Sequence, residues 1–244
     1  MKRVLILGGT MDGRTLADRL ANVRRLHVIL SLAGRTSEPR LPKCDVISGG
    51  FGGADGLADY LEGAKIDILI DATHPFANKM SQSAATASAA TGIPCFRLER
   101  KAWKKLPEDD WQMVTSIKEA VDYLPKNARV LATVGRQEVA PFFERLDIKV
   151  TARMIEAPDY APRAPHKVLR NRPPYRLEDE ILLMRTEHIS HLVTKNSGGK
   201  ATSAKLHAAR KLGVKVVMVE RPTPPQLPTA HSVDAMVAKI AKLS

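Results

Sequence analysis

Apolar and polar positions fall into alternating blocks along this chain: short unbroken apolar runs ending in glycine or polar residues, and longer stretches with apolar residues three and four apart. An unbroken run of four to eight predicts a strand buried on both faces, and the 3–4 spacing predicts an amphipathic helix. Val4 to Leu7 therefore reads as a strand, followed by a helix carrying Leu16, Ala17 and Leu20. His27 to Leu32 and Asp45 to Ser48 are further strands, and Ala54 to Glu62 is a helix. The stretch Ile66 to Ala77, IDILIDATHPFA, is the most informative: a buried strand delivers Asp71, Thr73 and His74 to its carboxyl end, and Pro75 stops it. A helix over Ala77 to Thr91 and a strand over Ile93 to Arg97 complete this first set.

Glu99 to Trp111 is charged, irregular and contains proline, as expected of a linker. The alternation then restarts, with helices over Thr115 to Leu124, Val139 to Leu146, Leu177 to Glu187, Ala201 to Leu212 and Val233 to Leu243. Strands are expected over Val130 to Val134, Ile148 to Ile155, Ile189 to Val193 and Val214 to Val219, and a long loop with short structure over Ala157 to Tyr175. Two rounds of alternation imply an α/β protein of two Rossmann-like, mainly parallel, doubly wound domains, with the active site in the cleft between them. The expected boundaries are residues 1–100 for a nucleotide-binding domain, 101–111 for the linker and 112–244 for a second, substrate-binding and cleft-closing domain.

Charge sharpens this picture. The chain carries a net charge of +12, and residues 1–100 hold 13 basic and 10 acidic side chains, so most of the excess lies in the remainder. Such a field favours an anionic partner. An aromatic content of 5% and the lack of a recognisable nucleic-acid module argue against nucleic acid, leaving a small polyanionic substrate. Cys44 and Cys95 lack the spacing of a zinc site or redox pair, so no metal is expected and a reduced, cytoplasmic setting is. Met1-Lys2-Arg3 leads straight into a strand, without signal peptide or membrane-length apolar run, so no membrane association is expected.

Candidate chemistry gathers at the strand ends. Gly8-Gly9-Thr10-Met11-Asp12-Gly13-Arg14 lies between a strand and a helix, the context in which glycines admit phosphates to backbone N–H groups. Thr10 stands where the middle glycine of the dinucleotide fingerprint would be, so a plain tight turn is the competing reading. The second strand ends in Ser31, Gly34, Arg35 and Thr36, and its nearest acid is Glu38. A serine and an arginine suit a 2′-phosphate and favour NADP(H) over NAD(H). Gly49 to Gly53 holds four glycines and Phe51, either a close-approach loop with Phe51 as a lid or a surface loop. Asp71 is a candidate cap of the turn that follows it. Arg97, Arg100 and Trp103 are candidates to face an anion, with solvated linker charges the alternative. In the second domain Thr194 to Gly199 places a lysine, an amide and a hydroxyl at a strand end, a set suited to carboxylates.

Taken together, LILGGTMDGR at 5–14, GGFGG at 49–53, DATHPFA at 71–77, RLER at 97–100 followed by Trp103, TVGRQE at 133–138, TKNSGG at 194–199 and VERP at 219–222 resemble the precorrin-6A reductase family of cobalamin biosynthesis. The matches run in order over nearly the whole chain. One departure is Arg172-Pro173-Pro174-Tyr175, where a glycine is expected before the second proline. The resemblance implies an NADPH-dependent reductase that delivers hydride to one double bond of a partly built corrin ring, precorrin-6A to precorrin-6B, while a proton arrives on the neighbouring carbon. It implies Gly8, Gly9, Thr10 and Arg14 at the cofactor phosphates and Ser31, Gly34 and Arg35 at the 2′-phosphate. Thr73 and His74 fall near the nicotinamide, with Gly50 close by. Arg136, Lys195, Asn196 and Ser197 fall to substrate carboxylates or to closing the cleft. For the proton the candidates are His74, a water and a substrate carboxyl group.

Two other readings compete. The cobalt-containing substrate of the anaerobic route would be reduced by a parallel enzyme, and a non-catalytic NADP(H)-binding protein would use the same glycine turns. A short-chain reductase is disfavoured, because none of Tyr60, Tyr123, Tyr160 and Tyr175 has a lysine four residues on. The 2′-phosphate assignment predicts that Arg35→Ala weakens NADPH binding about tenfold, the worth of one charge-assisted pair, and leaves NADH binding unchanged. Titration of both nucleotides by fluorescence measures this; an equal effect on both would remove Arg35 from the 2′-phosphate.

Overall fold

The computed structural model describes residues 1–33 and 42–243. Gly34 and Arg35 lie outside them. The chain begins β1 (Lys2–Leu7), α1 (Met11–Ala21), β2 (Leu26–Leu32), β3 (Asp45–Ser48), α2 (Ala54–Gly63), β4 (Ile68–Asp71), α3 (Asn78–Thr91) and β5 (Cys95–Leu98). It continues with β6 (Trp111–Val114), α4 (Ile117–Tyr123), β7 (Arg129–Thr133), α5 (Ala140–Phe143), β8 (Lys149–Met154), β9 (Lys167–Arg170), α6 (Leu177–Thr186) and β10 (His191–Lys195). A 3₁₀ turn at Lys200–Thr202 precedes α7 (Ala204–Leu212), β11 (Lys215–Val219), β12 (Thr229–Ala230) and α8 (Val233–Ala241).

These elements form two compact units. The first comprises Met1–Lys101 together with the segment from Pro222 onward, and the second comprises Ala102–Arg221. In the first, six strands run parallel in the order β3-β2-β1-β4-β5-β12, the order of a dinucleotide-binding sheet. Its central strands are apolar on both faces because both are covered. Val4 and Ile6 pack with Leu16 and Leu20 of α1 and with Met236 and Ile240 of α8. Leu5 and Leu7 pack on the opposite side with Leu57 and Leu61 of α2 and Ala84 and Ala87 of α3.

The second unit is also a six-stranded parallel sheet, ordered β6-β11-β10-β7-β8-β9. Leu131, Leu192, Val216 and Met218 pack on one face with Met184 of α6 and Leu206 and Ala209 of α7. Local signals set its helix starts: Ser116 accepts a hydrogen bond from Glu119 N at 3.1 Å, and the Glu119 carboxylate accepts one from Thr115 N at 2.7 Å.

The domain boundaries differ from expectation at both ends of the second unit. The expected linker, 101–111, is largely part of it: Arg210 makes two hydrogen bonds to Asp109, at 2.9 and 3.2 Å, and β6 starts at Trp111. The terminal helix belongs to the first unit instead. After β11 the proline-rich segment leads to β12, and Arg97 N and Glu99 N donate to Pro228 O and Ala230 O, both at 3.0 Å. A two-residue strand carries too little pattern to be read from sequence, and the apolar stripe of α8 does not say which core it fills. Strand β9 lies inside the expected loop 157–175 for the same reason of length.

This placement of α8 has a measurable consequence. Ile240→Ala, at a fully buried position, is expected to cost about 2–5 kcal/mol. Amide exchange should report the loss in β1 and β4, with β7 and β10 retaining their protection; the opposite distribution would return the helix to the second unit.

Candidate functional site

In each sheet the direction of winding reverses between two adjacent strands, and the loops leaving their carboxyl ends define a crevice. In the first unit that reversal lies between β1 and β4. Thr10 closes it from both sides: its hydroxyl caps α1 by accepting from Gly13 N at 3.0 Å, and it donates to Ala72 O just past β4 at 2.9 Å. The glycines divide by cause. A Cβ at Gly8 would stand 2.7 Å from Leu30 Cδ1 and 3.1 Å from Ser31 O, and one at Gly13 would stand 3.2 Å from the Ala72 Cβ, so both lie in tightly packed surroundings. Gly9 instead has φ +116° with open space before it, a backbone conformation that favours glycine and exposes main chain at the mouth of the helix.

Other sequence candidates settle around this turn in different ways. Arg14 is half-buried in the first turn of α1. Ser31 is buried at the end of β2, where its carbonyl accepts from Gly8 N at 2.8 Å. Gly50 is exposed, with open space where a side chain would be. Phe51 is not a lid. Its ring lies 5.1 Å from that of Tyr60 and joins the core, and Gly56 is needed because a Cβ there would stand 1.8 Å from Phe51 O.

The carboxyl end of β4 is built on a buried charge. Asp71 accepts from Thr73 N at 3.0 Å and Thr73 Oγ1 at 2.6 Å, and forms an ion pair with Arg97 of β5. Arg97 also donates to Ser81 Oγ and to Glu99 Oε2, each at 2.6 Å. Arg97 is thus committed to the fold and does not face an anionic ligand, while Asp71 is the turn cap expected of it. Arg100 pairs with Asp12 at 3.2 Å. His74 is half-buried and its Nδ1 accepts from Phe76 N at 3.2 Å, which places the proton of the neutral ring on Nε2. Cys95, beneath this turn, has its thiol pushed up to about 12 by burial and is no nucleophile.

In the second unit the winding reverses between β7 and β10, and the TVGRQE and TKNSGG motifs leave these neighbouring strands. Arg136 is exposed in the first loop. Lys195 in the second is ion-paired with Glu138, and burial pushes its ammonium down to about 8. Asn196 has a scaffold role. Its Oδ1 accepts from Trp103 N at 2.8 Å and its Nδ2 donates to Trp103 O at 3.1 Å, so both ends of the amide hold one backbone residue. Trp103 in turn donates from Nε1 to Gly199 O at 3.1 Å, clasping the loop at a second point and leaving its ring in the scaffold. Ser197 is buried in the turn, with its N–H on Lys195 O at 2.7 Å.

Sequence reasoning missed Lys205. Its Nζ is buried on the inner face of α7, donates to Thr133 Oγ1 at 2.9 Å and lies 5.5 Å from the Trp103 ring centroid. Burial, with the Arg153 guanidinium adding and Glu180 opposing, pushes it down to about 7. A signal was present: Lys205 shares the inward face of α7 with Ala208 and Ala209, three and four residues on.

Comparison with known proteins follows from these two sheets. The family described as precorrin-6x reductase CbiJ/CobK matches residues 3–241. The precorrin-6A reductase of Rhodococcus erythropolis is 43% identical over 242 residues, covering 99% of this chain and 97% of that one. The cobalt-precorrin-6A reductase of Priestia megaterium is 28% identical and covers 90% of each. A solved structure of CobK precorrin-6A reductase, 35% identical, superposes with a TM-score of 0.93 over 99% of this chain and 97% of its own.

The buried charge under β4 gives a stability prediction. Arg97→Met strands Asp71 without its cation and is expected to cost about 3–5 kcal/mol in thermal or urea unfolding. Asp71→Asn on that background keeps an acceptor for Thr73 and should recover more than half of the loss. A double variant as unstable as the single one would show that the pair acts through shape rather than charge.

Proposed function

This chain belongs to the precorrin-6x reductase family, and we propose that it reduces one double bond of precorrin-6A with NADPH, giving precorrin-6B. The observation that carries this reading is the difference between relatives: 43% identity to a precorrin-6A reductase against 28% to a cobalt-precorrin-6A reductase, both over nearly whole chains. The first unit supports nucleotide binding by its strand order and by the open main chain at Gly9 ahead of α1. NADPH, when bound, supplies the hydride, and the work left to the protein is positioning and the exclusion of competing reactions.

In this reading the N–H groups at the start of α1, with Gly8, Gly9 and Arg14, hold the pyrophosphate, and Thr10 holds the turn in shape through Ala72. Ser31, Gly34 and Arg35 take the 2′-phosphate. Thr73 and Gly50 line the nicotinamide end. The proton on the neighbouring carbon comes from His74, a water or a substrate carboxyl group; with Nδ1 accepting from Phe76 N the His74 ring is neutral, so it donates only after protonation to the imidazolium. Arg136, Lys195 and Ser197 meet the carboxylates of the macrocycle, and Asn196 positions their loop through Trp103. The net charge of +12 suits a substrate of this kind.

The test follows NADPH absorbance with purified protein and metal-free precorrin-6A, in parallel with NADH and with the cobalt-containing analogue. Consumption that requires the tetrapyrrole, prefers NADPH and is faster with the metal-free substrate is the expected result. Faster turnover of the cobalt form would move the chain to the other route, and binding of NADPH without consumption in either case would make it a non-catalytic binding protein.

A further inference from the structure

The second unit buries a cation that none of the roles above employs. Lys205 is 4% exposed, on the face of α7 that it shares with Ala208 and Ala209. Burial pushes its ammonium down to about 7, so the fold loses rather than gains by holding a charge at this position. A methionine would fill similar space without that cost. The two charged groups that act on the ammonium, Arg153 and Glu180, are ion-paired with each other.

What the lysine contributes is position. Its Nζ donates to Thr133 Oγ1 at 2.9 Å, and that hydroxyl donates in turn to Val193 O at 3.2 Å. Thr133 is the last residue of β7 and opens the loop that carries Arg136, while Val193 lies in β10 just before Lys195. The same Nζ stands 5.5 Å from the Trp103 ring centroid, within cation–π range. Trp103 is fastened to the loop after β10 by its hydrogen bonds with Asn196 and Gly199. One side chain of α7 therefore engages the anchors of both loops.

We infer that Lys205 is a positioning residue: it fixes the loops after β7 and β10 relative to one another, so that Arg136 and Lys195 meet carboxylates of the same macrocycle together. The inference rests on the reductase reading above, in which those two residues bind substrate. Carboxylates carried on one ring have a set spacing. Two contacts to such a ligand gain from loops that are already in place and lose when binding must order them.

Lys205→Met removes the charge and the bond, keeps an unbranched stem and strands no donor, since the Thr133 hydroxyl retains Val193 O. In the NADPH absorbance assay with metal-free precorrin-6A, KM for the tetrapyrrole should rise at least about fivefold, the worth of one hydrogen bond. Over the same series kcat should stay within about twofold and KM for NADPH should be unchanged. The melting temperature should hold or rise, because a desolvated cation has gone. Thr133→Val breaks the same bond from its other end and serves if the lysine variant fails to fold; the double variant should show the KM of Lys205→Met alone. An unchanged tetrapyrrole KM would overturn the inference. So would a fall in melting temperature and kcat at constant KM, the mark of a merely structural lysine, or effects of the two variants that multiply. Wild-type protein that consumes no NADPH would sink the reductase reading by itself. The tetrapyrrole Kd from absorbance titration then replaces KM: a fivefold loss in Lys205→Met upholds the coupling of the loops, and an equal Kd ends it.

Discussion

The buried ion pair between Asp71 and Arg97 is the constraint on which the first unit's ligand-facing edge depends. A carboxylate at the end of a central strand can remain charged only with a cation and hydrogen-bond donors around it. Arg97 from the next strand, and Thr73 from the following turn, supply them. Three elements are tied by that requirement: β5 must align with β4, α3 must bring Ser81 to the guanidinium, and the chain after β4 must fold back so that Thr73 reaches Asp71. The His74 turn and the Ala72 carbonyl that receives Thr10 therefore inherit their positions from a charge at the strand end. The pair makes no net stabilisation necessary; its effect is to penalise every other arrangement of this edge.

The second unit solves the same problem with different chemistry. Its loop after β10 is held by a neutral amide, since Asn196 pairs with the Trp103 backbone as a strand neighbour would, and Trp103 then reaches Gly199. This unit also buries Lys205 on the inner face of α7, bonded to the last residue of β7 and with its ammonium pushed down to about 7. Arg221 adds a further contact through Nε to Asn196 O at 2.6 Å. The TKNSGG and VERP motifs are thereby parts of one clasp, although 25 residues separate Asn196 from Arg221.

Much of this architecture was legible because buried parallel strands leave an unmistakable trace. Unbroken apolar runs such as Val4 to Leu7 and Val214 to Val219 located nine of the twelve strands among the described residues to within a few positions, and the two doubly wound sheets followed from them. What escaped shares a physical cause. Strands β6, β9 and β12 are held by backbone pairing at a sheet edge, which needs little side-chain pattern, and the stripe of α8 records that it is buried but not against what. Within the candidate sites several of the named side chains are held by partners in the fold. Arg97, Asn196 and Phe51 look ligand-facing in sequence because a charge, an amide or an aromatic ring beside glycines is what ligands contact. Each has a partner distant in the chain that sequence spacing does not reveal.

The reassignment of those side chains bears on how such an enzyme would work. With Thr10 capping its helix, Asp71 paired, Asn196 clasping Trp103 and Arg100 on Asp12, the polar groups nearest the strand ends are largely spent on holding loops. Main chain at Gly9 and Gly50 and the side chain of Arg136 are exposed there, and the His74 ring is half-buried with Nδ1 accepting from Phe76 N. That inventory suits hydride transfer on the proposed function. A reaction whose electron pair comes with its cofactor asks the protein for fixed surfaces and anion contacts more than for a nucleophile or a strongly perturbed acid. Rigid loops supplied by buried pairs are what such positioning requires, because a ligand can be held no more closely than the backbone that holds it. The side chains of Thr10, Asp71 and Asn196 are therefore ones through which the chain fixes the shape of its strand-end loops.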